Sequence, residues 1–223
     1  MEPMRAFLLA GGRSRRMGRD KAQLELAGQP LVAHMLDKLT GLGLEATICG
    51  NRLDLRHLAP ILPDPHLPGG GTSAGPLAGI LAALEASDSP LNFFLAVDMP
   101  GMPIGFLRWM IDRAERTEAR LTVPFVAGRA QSLCAIYHRD LAHGVRRSIE
   151  SGEYRVLPAL RDAAQQTHSI DAFDVESIVA AGAIHPLPFG LPHQWFRNLN
   201  TPQDFALYVV SHLSNKLERE SAD

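Results

Sequence analysis

The chain has 223 residues, 46% of them apolar, and a formal net charge of -2 at pH 7. That length and apolar content suit one domain over residues 1–223 with a sizeable core of its own. Near-neutral charge and few aromatics exclude a nucleic-acid footprint in the bulk composition, so a charged ligand has to be met by local groups.

No stretch approaches the roughly 18 uninterrupted apolar residues of a membrane-spanning helix. The N-terminal apolar run also lacks the cleavage-site pattern of a leader peptide. The expectation is a cytoplasmic protein with neither a membrane nor a nucleic acid as partner. Cys49 and Cys134 have no CxxC spacing and read as small buried hydrophobes rather than a zinc or disulfide framework.

In chain order, Arg5 to Ala10 is a short apolar run stopped by Gly11-Gly12, the pattern of a strand buried on both faces. Leu31, Met35, Leu39 and Leu42 recur at helical spacing behind Pro30, which suits a first helical turn, and Gly43 ends the pattern. Ala46 to Cys49 and Ile61-Leu62 are short strand candidates. Pro63 to Pro76 is too long and too rich in Pro and Gly for a tight turn, and reads as a functional loop or an insert. Leu77, Ile80, Leu81 and Leu84 mark a helix with Pro76 at its start, and Asn92 to Val97 is the strongest buried-strand signal, ended by Asp98.

A helix from Ile104 to Arg116 and a strand from Leu121 to Val126 continue the alternation. The pattern predicts a three-layer α/β sandwich, Rossmann-like, with a mainly parallel sheet and helices on both faces. Beyond it, Ser132 to Tyr137 reads as a strand, and Asp140 to Glu150 and Val156 to Ala164 as helices. Thr201, Pro202 and Asp204 supply an N-cap, a first-turn proline and an acidic first turn for a last helix reaching Leu217.

The segment Leu9-Ala10-Gly11-Gly12-Arg13-Ser14-Arg15-Arg16-Met17-Gly18-Arg19-Asp20-Lys21 follows the first strand and carries five basic residues. It fits neither the P-loop spacing nor GxGxxG. Its glycines let backbone N–H groups approach phosphate oxygens, while Arg13, Arg16 or Lys21 neutralises charge. The alternative is a solvated basic turn. Its place at the end of a strand favours the anion site, because ligands of open α/β sheets gather outside the carboxyl ends of strands.

Asp98 ends so apolar a strand that its charge costs free energy unless solvated or paired with a cation, which favours metal ligation over helix capping. Asn51 beside Gly50, Asp64 between prolines, Gly75-Pro76 and Asn200-Thr201 each have a plain reading as loop cap, Asx turn, helix start and helix cap. The histidines lack zinc spacing, and neither a GxSxG elbow nor a Cys–His pairing suggests covalent catalysis.

The full string Leu-Ala-Gly-Gly-x-Ser-x-Arg-Met-Gly-x-Asp-Lys resembles the signature loop of the molybdenum cofactor guanylyltransferases, a MobA-like nucleotidyltransferase family. Further matches follow in order: Asn51, Asp64, Gly75-Pro76-Leu77-Ala78-Gly79, Asp98-Met99-Pro100, Gln131-Ser132-Leu133 with Tyr137, Gly152 to Val156, and Phe196 to Pro202. The resemblance spans nearly the whole chain. It is strongest up to Pro100 and at Asn198-Leu199-Asn200-Thr201-Pro202, and weak between Arg139 and His193.

It implies a nucleotide-diphospho-sugar transferase-like fold and transfer of GMP from GTP to the phosphate of molybdopterin, with pyrophosphate released. On this resemblance Leu9, Ala10, Gly11, Gly12 and Lys21 hold the triphosphate, and Asn51, Asp64 and Gly75 contact the guanosine. Asp98 holds Mg2+ and shares the catalytic role with Lys21, while Arg155, Asn198 and Asn200 lie toward the acceptor. GTP and molybdopterin are the implied partners, with a molybdoenzyme or an assembly chaperone beside them. Gly11-Gly12 and Gly75-Pro76-Leu77 resemble the guanine-using branch. The alternatives are a molybdopterin cytidylyltransferase, a sugar-phosphate nucleotidyltransferase and a non-catalytic nucleotide-binding assembly protein. The Pro65 to Ala74 insert departs from the pattern in being longer and richer in glycine.

Overall fold

The computed structural model describes residues 3–11, 20–65, 75–165, 169–184 and 190–210 of the chain. The opening apolar run forms β1 (Arg5–Leu9), buried from its second residue onward. A two-residue antiparallel hairpin, β2 (Glu25–Leu26) and β3 (Gln29–Pro30), then leads into helix α1 (Leu31–Gly41). Its turn residues Ala27 and Gly28 both have positive φ, at 52° and 79°, as the favoured two-residue hairpin turn requires. β4 (Glu45–Cys49), β5 (Ile61–Leu62), α2 (Pro76–Ala86), β6 (Leu91–Ala96), α3 (Ile104–Thr117) and β7 (Leu121–Val126) follow in the predicted order.

The later part holds β8 (Arg129–Ala130), β9 (Cys134–His138), α4 (Ala142–Glu150), α5 (Val156–Gln165), β10 (Ile170–Asp174), α6 (Val175–Ala180) and α7 (Pro192–Trp195). Residues 202–210 are helical, and the remainder of the expected last helix lies outside the described residues. The main sheet has the order β10-β7-β9-β6-β1-β4-β5, with β8 added to β7. The pairs among β5, β4, β1 and β6 are parallel, as is β10 with β7, whereas β9 runs antiparallel between β6 and β7. The reversal follows from chain length: between β7 and β9 lies only the β8 segment, and parallel pairing would need a crossover of a dozen or more residues.

Helices cover both faces. Leu8, Phe93, Leu95 and Ile136 point to one side and pack with Met35 and Leu39 of α1 and Phe106 and Met110 of α3. Phe7, Leu9, Phe94 and Tyr137 point to the other and pack with α2, α4 and α5. Every residue of β6 is buried, as a central strand sandwiched between helical layers demands. On α3 the buried residues Phe106, Leu107, Met110, Ile111 and Ala114 form one stripe, and Glu118 closes the helix in the left-handed region. Phe106 also carries the C-terminal segment, with its ring 5.8 Å from Trp195 and 5.5 Å from Phe196. That aromatic contact brings residues 196–200 back over the sheet edge where β6 ends. Cys49 and Cys134 are free and buried.

Candidate active site

Because β1, β4 and β6 are parallel, their C-terminal ends share one edge of the sheet. Leu9 O accepts from Val97 N at 3.1 Å, and Ala10 N donates to Cys49 O at 3.2 Å, so β1 stays laced to both neighbours through its last residues. Leu9 and Ala10 are therefore the buried strand end from which the glycine segment departs. Immediately beyond, two backbones touch: a Cβ on Gly50 would lie 2.9 Å from Gly11 Cα, and Gly50 has a φ of 119°. Only glycine satisfies both conditions at residue 50. Asn51 follows on the exposed rim. Gly12, with Arg13 to Arg19, lies outside the described residues.

The chain returns at Asp20, whose carboxylate caps a 3-10 turn over Lys21–Gln23 by accepting from Ala22 N at 3.1 Å. The turn sends Lys21 across the strand ends. Its Nζ donates to Asp98 Oδ2 at 3.0 Å and to Asn200 Oδ1 at 2.6 Å. The Lys21 and Asp98 side chains are 18% and 19% exposed, so this pair is largely withdrawn from water and yet reachable.

Asp98 sits just beyond β6, and its carbonyl accepts from Leu199 N at 2.9 Å. Leu199 is completely buried, which fixes Asn198 and Asn200 on either side of it. Asp204 secures the same string by accepting from Thr201 N at 3.0 Å and Thr201 Oγ1 at 2.8 Å, while Thr201 Oγ1 accepts from Asp204 N. Thr201 is thus the N-cap that the sequence indicated. Asn198 Oδ1 is buried with no hydrogen-bond partner among the described residues. Leaving such an acceptor unused costs on the order of 1–3 kcal/mol.

Asp64 follows β5 and is partly buried, and burial pushes its carboxyl pKa above the usual carboxylate range. Its charge in turn adds to burial in pushing the Cys49 thiol up, which places Asp64 beside the end of β4. Gly75 has a φ of 55° and immediately precedes Pro76 at the first position of α2. Arg155 heads α5, and its 79% exposed side chain is forked by Glu153 at 3.0 and 2.6 Å. The structure therefore joins Lys21, Asp98 and Asn200 directly, sets Gly11 beside Gly50, and leaves Arg155 bonded to its own neighbour.

The family model of the MobA-like NTP transferase domain matches residues 6–167. The chain belongs to this family. A probable molybdenum cofactor guanylyltransferase of Mycobacterium tuberculosis is 34% identical over 194 residues, covering 82% of this chain and 92% of that protein. The molybdenum cofactor guanylyltransferase of Syntrophotalea carbinolica is 28% identical over 201 residues, covering 90% of this chain and 88% of its own. Among solved structures, molybdopterin-guanine dinucleotide biosynthesis protein A from Archaeoglobus fulgidus matches with a TM-score of 0.72 at 23% identity, over 95% of this chain and all of that one. The 2-C-methyl-D-erythritol 4-phosphate cytidylyltransferase of Thermus thermophilus shares the fold with a TM-score of 0.61 at 16% identity, over 92% and 97% of the two chains.

In this MobA-like NTP transferase, Asn198 and Asn200 lie beyond the segment that the family model matches, and the fold returns Asn200 to Lys21. Two residues at the site escaped the sequence reading. Gly50 is needed for the close backbone approach, and the signal that marks it is a glycine between a strand end and a polar loop. Arg52 belongs to no motif that the sequence displays, although its side chain is only 12% exposed and lies against the end of β1. Among the described residues no group of three or more His, Cys, Asp or Glu side chains is placed to hold a metal ion. No helix among the described residues is long and apolar enough to cross a membrane.

Proposed function

We propose that this chain transfers GMP from GTP to the terminal phosphate of molybdopterin, releasing pyrophosphate. The observation that carries the reading is the meeting of Lys21, Asp98 and Asn200, drawn from three distant parts of the sequence, at the strand ends where Ala10 and Gly11 depart. The likeness to molybdenum cofactor guanylyltransferases supports the guanylyl group and the acceptor.

In the proposed step an acceptor phosphate oxygen attacks the α-phosphorus in line. One P–O bond forms as the bond to the β-phosphate oxygen breaks, and pyrophosphate leaves with the electron pair. The acceptor phosphate is already ionised at neutral pH, so no strong general base is required. Lys21, exchanging Asp98 for phosphate oxygens, neutralises charge on the leaving group, and positioning supplies the rest. Ala10 N is engaged by Cys49, so the backbone donors available to the triphosphate begin at Gly11. Asn51, Asp64 and Gly75 are assigned to the guanosine and Asn198, with its unused Oδ1, and Asn200 to the acceptor, which Arg155 would join only by leaving Glu153.

A carboxylate at a strand end suits Mg2+, which is commonly held by one or two carboxylates together with substrate phosphates and water. Asp98 would hold it, and the bound ion would supply charge neutralisation at the α-phosphate.

The test is single-turnover transfer from GTP, CTP and UTP to purified molybdopterin in Mg2+. Dinucleotide formed fastest from GTP is the expected result. Preference for CTP would move the chain to the cytidine-using relatives, and tight nucleotide binding without any transfer would support the assembly-protein alternative.

A further inference from the structure

Arg52 stands one residue beyond Asn51, and its guanidinium reaches back to the base of the glycine segment. Nη1 donates to Ala10 O at 3.3 Å and to Asp20 Oδ1 at 3.2 Å, and Nη2 lies 2.6 Å from Asp20 Oδ2. Nε and Nη2 also fork the Asp54 carboxylate at 3.0 and 2.8 Å. Ala10 is the last residue before Gly11, and Asp20 is the residue before Lys21. A single side chain therefore holds both ends of residues 11–19.

Resting on the nucleotidyltransferase reading, we infer that Arg52 is a positioning residue for nucleotide binding, fixing where the glycine segment leaves the sheet and where Lys21 returns to it. Pinning the two ends of a loop removes closure freedom before a ligand arrives, and that ordering no longer subtracts from the binding free energy. Asp20 matters twice, because the carboxylate held by Arg52 also caps the turn that aims Lys21. The Arg52 charge is already matched by Asp20 and Asp54, whose hydrogen bonds hold the guanidinium's proton still more tightly, so its task is geometric rather than phosphate contact. The task needs a planar fork, since a lysine ammonium presents a compact point charge that cannot span Ala10 O, Asp20 and Asp54 together.

The test compares steady-state kinetics of Arg52→Gln, Arg52→Lys and, as an ion-pair control on the far surface, Arg146→Gln, which loses only its pair with Glu85. In Arg52→Gln the nucleotide KM is expected to rise about tenfold, equivalent to about 1.4 kcal/mol. The acceptor KM should stay within twofold, Arg52→Lys should fall between, and Arg146→Gln should match the wild type. Asp20→Asn should raise the nucleotide KM as well, and the double variant should be no worse than the poorer single one.

A second readout needs no turnover. Calorimetric titration with GTP should show a severalfold loss of affinity in both Arg52 variants, and in Arg52→Lys even if the glutamine variant fails to fold. An unchanged nucleotide KM, or kcat and both KM values drifting together with an unchanged GTP affinity, would overturn the inference. Wild-type protein that transfers no nucleotide sinks the transferase reading instead, whereas an active wild type with an indifferent Arg52→Gln sinks only the role given to Arg52.

Discussion

Lys38 offers a sharp physical test of how the Asp98 turn is built. It lies on the inner side of α1, and its Nζ donates to Pro100 O and, at 2.8 Å, to Met102 O, two carbonyls of the turn that follows Asp98. Among the described residues it makes no ion pair, so an ammonium is held by carbonyls alone. Burial lowers its pKa from 10.5 to about 8. A neutral amine keeps two N–H donors, enough for both carbonyls. The amine is therefore easier to deprotonate in the folded chain than in the unfolded one.

The sign follows from proton binding. Below pH 8 both states carry the proton and the folded state bears the whole cost of burying it. Between pH 8 and 10.5 the unfolded chain binds more protons, so stability rises with pH until both states are neutral. A shift of this size corresponds to about 3 kcal/mol in full, of which about 2 kcal/mol falls between pH 8 and pH 10.

Lys38→Met removes this pH-dependent term but also strands the two carbonyls, so the slope and not the absolute stability is diagnostic. Urea unfolding of both proteins at pH 7, 8, 9 and 10 measures it. The buried Cys49, Cys134, Tyr137 and Tyr208, all pushed up by burial, titrate in both and cancel in the difference. The stability of wild type relative to Lys38→Met should climb by about 2 kcal/mol from pH 8 to pH 10. A flat difference would show that Lys38 titrates as in an unfolded chain and that its ammonium is not confined beneath the turn.

Two further substitutions bear on the site. Asp98→Asn should abolish single-turnover GMP transfer while leaving the melting temperature near wild type, because the amide keeps the shape but not the charge a hard cation needs. Near-normal transfer with unchanged Mg2+ dependence would remove Asp98 from the machinery. Gly50→Ala should destabilise the fold by about 1–3 kcal/mol through a positive φ, and a nucleotide titration should show weakened binding, since its Cβ would collide with Gly11 Cα. An alanine variant with wild-type melting and affinity would mean that this approach relaxes without consequence.

The elements read correctly from sequence are those whose burial leaves a period. β1 and β6 are buried on both faces and read as unbroken apolar runs, and α3 shows one clean stripe. β10 has a single fully buried residue, Phe173, and so carries no alternation to detect. The β2–β3 hairpin turns on Ala27-Gly28 rather than Asn-Gly, and positive φ at an alanine cannot be anticipated from residue type. At the site, Lys21, Asp98 and Asn200 were legible because a motif named them. Arg52 and Lys38 were not, because each acts through carbonyl and carboxylate partners brought near only by the fold: Asp20 lies 32 positions from Arg52, and Met102 lies 64 from Lys38.

What the folded site adds to the motif is a solution to a charge problem. A carboxylate at the end of a fully buried strand is costly unless a cation stands beside it, and the free chain meets that need with Lys21. Under the proposed reaction, an incoming nucleotide with its metal supplies one cation to Asp98 and several anionic oxygens to Lys21, so both partners are exchanged and neither charge is left alone. Asn200 Oδ1 accepts from the Lys21 ammonium at 2.6 Å and can keep that hydrogen bond while the exchange takes place. On that reading one pair would suffice without a preformed metal cage, because the ion's remaining ligands would arrive with the substrate. It further assigns the precision of the site to its supports. Lys21 can trade partners only if its backbone stays fixed, and that backbone is held by Asp20, whose own carboxylate is gripped by Arg52.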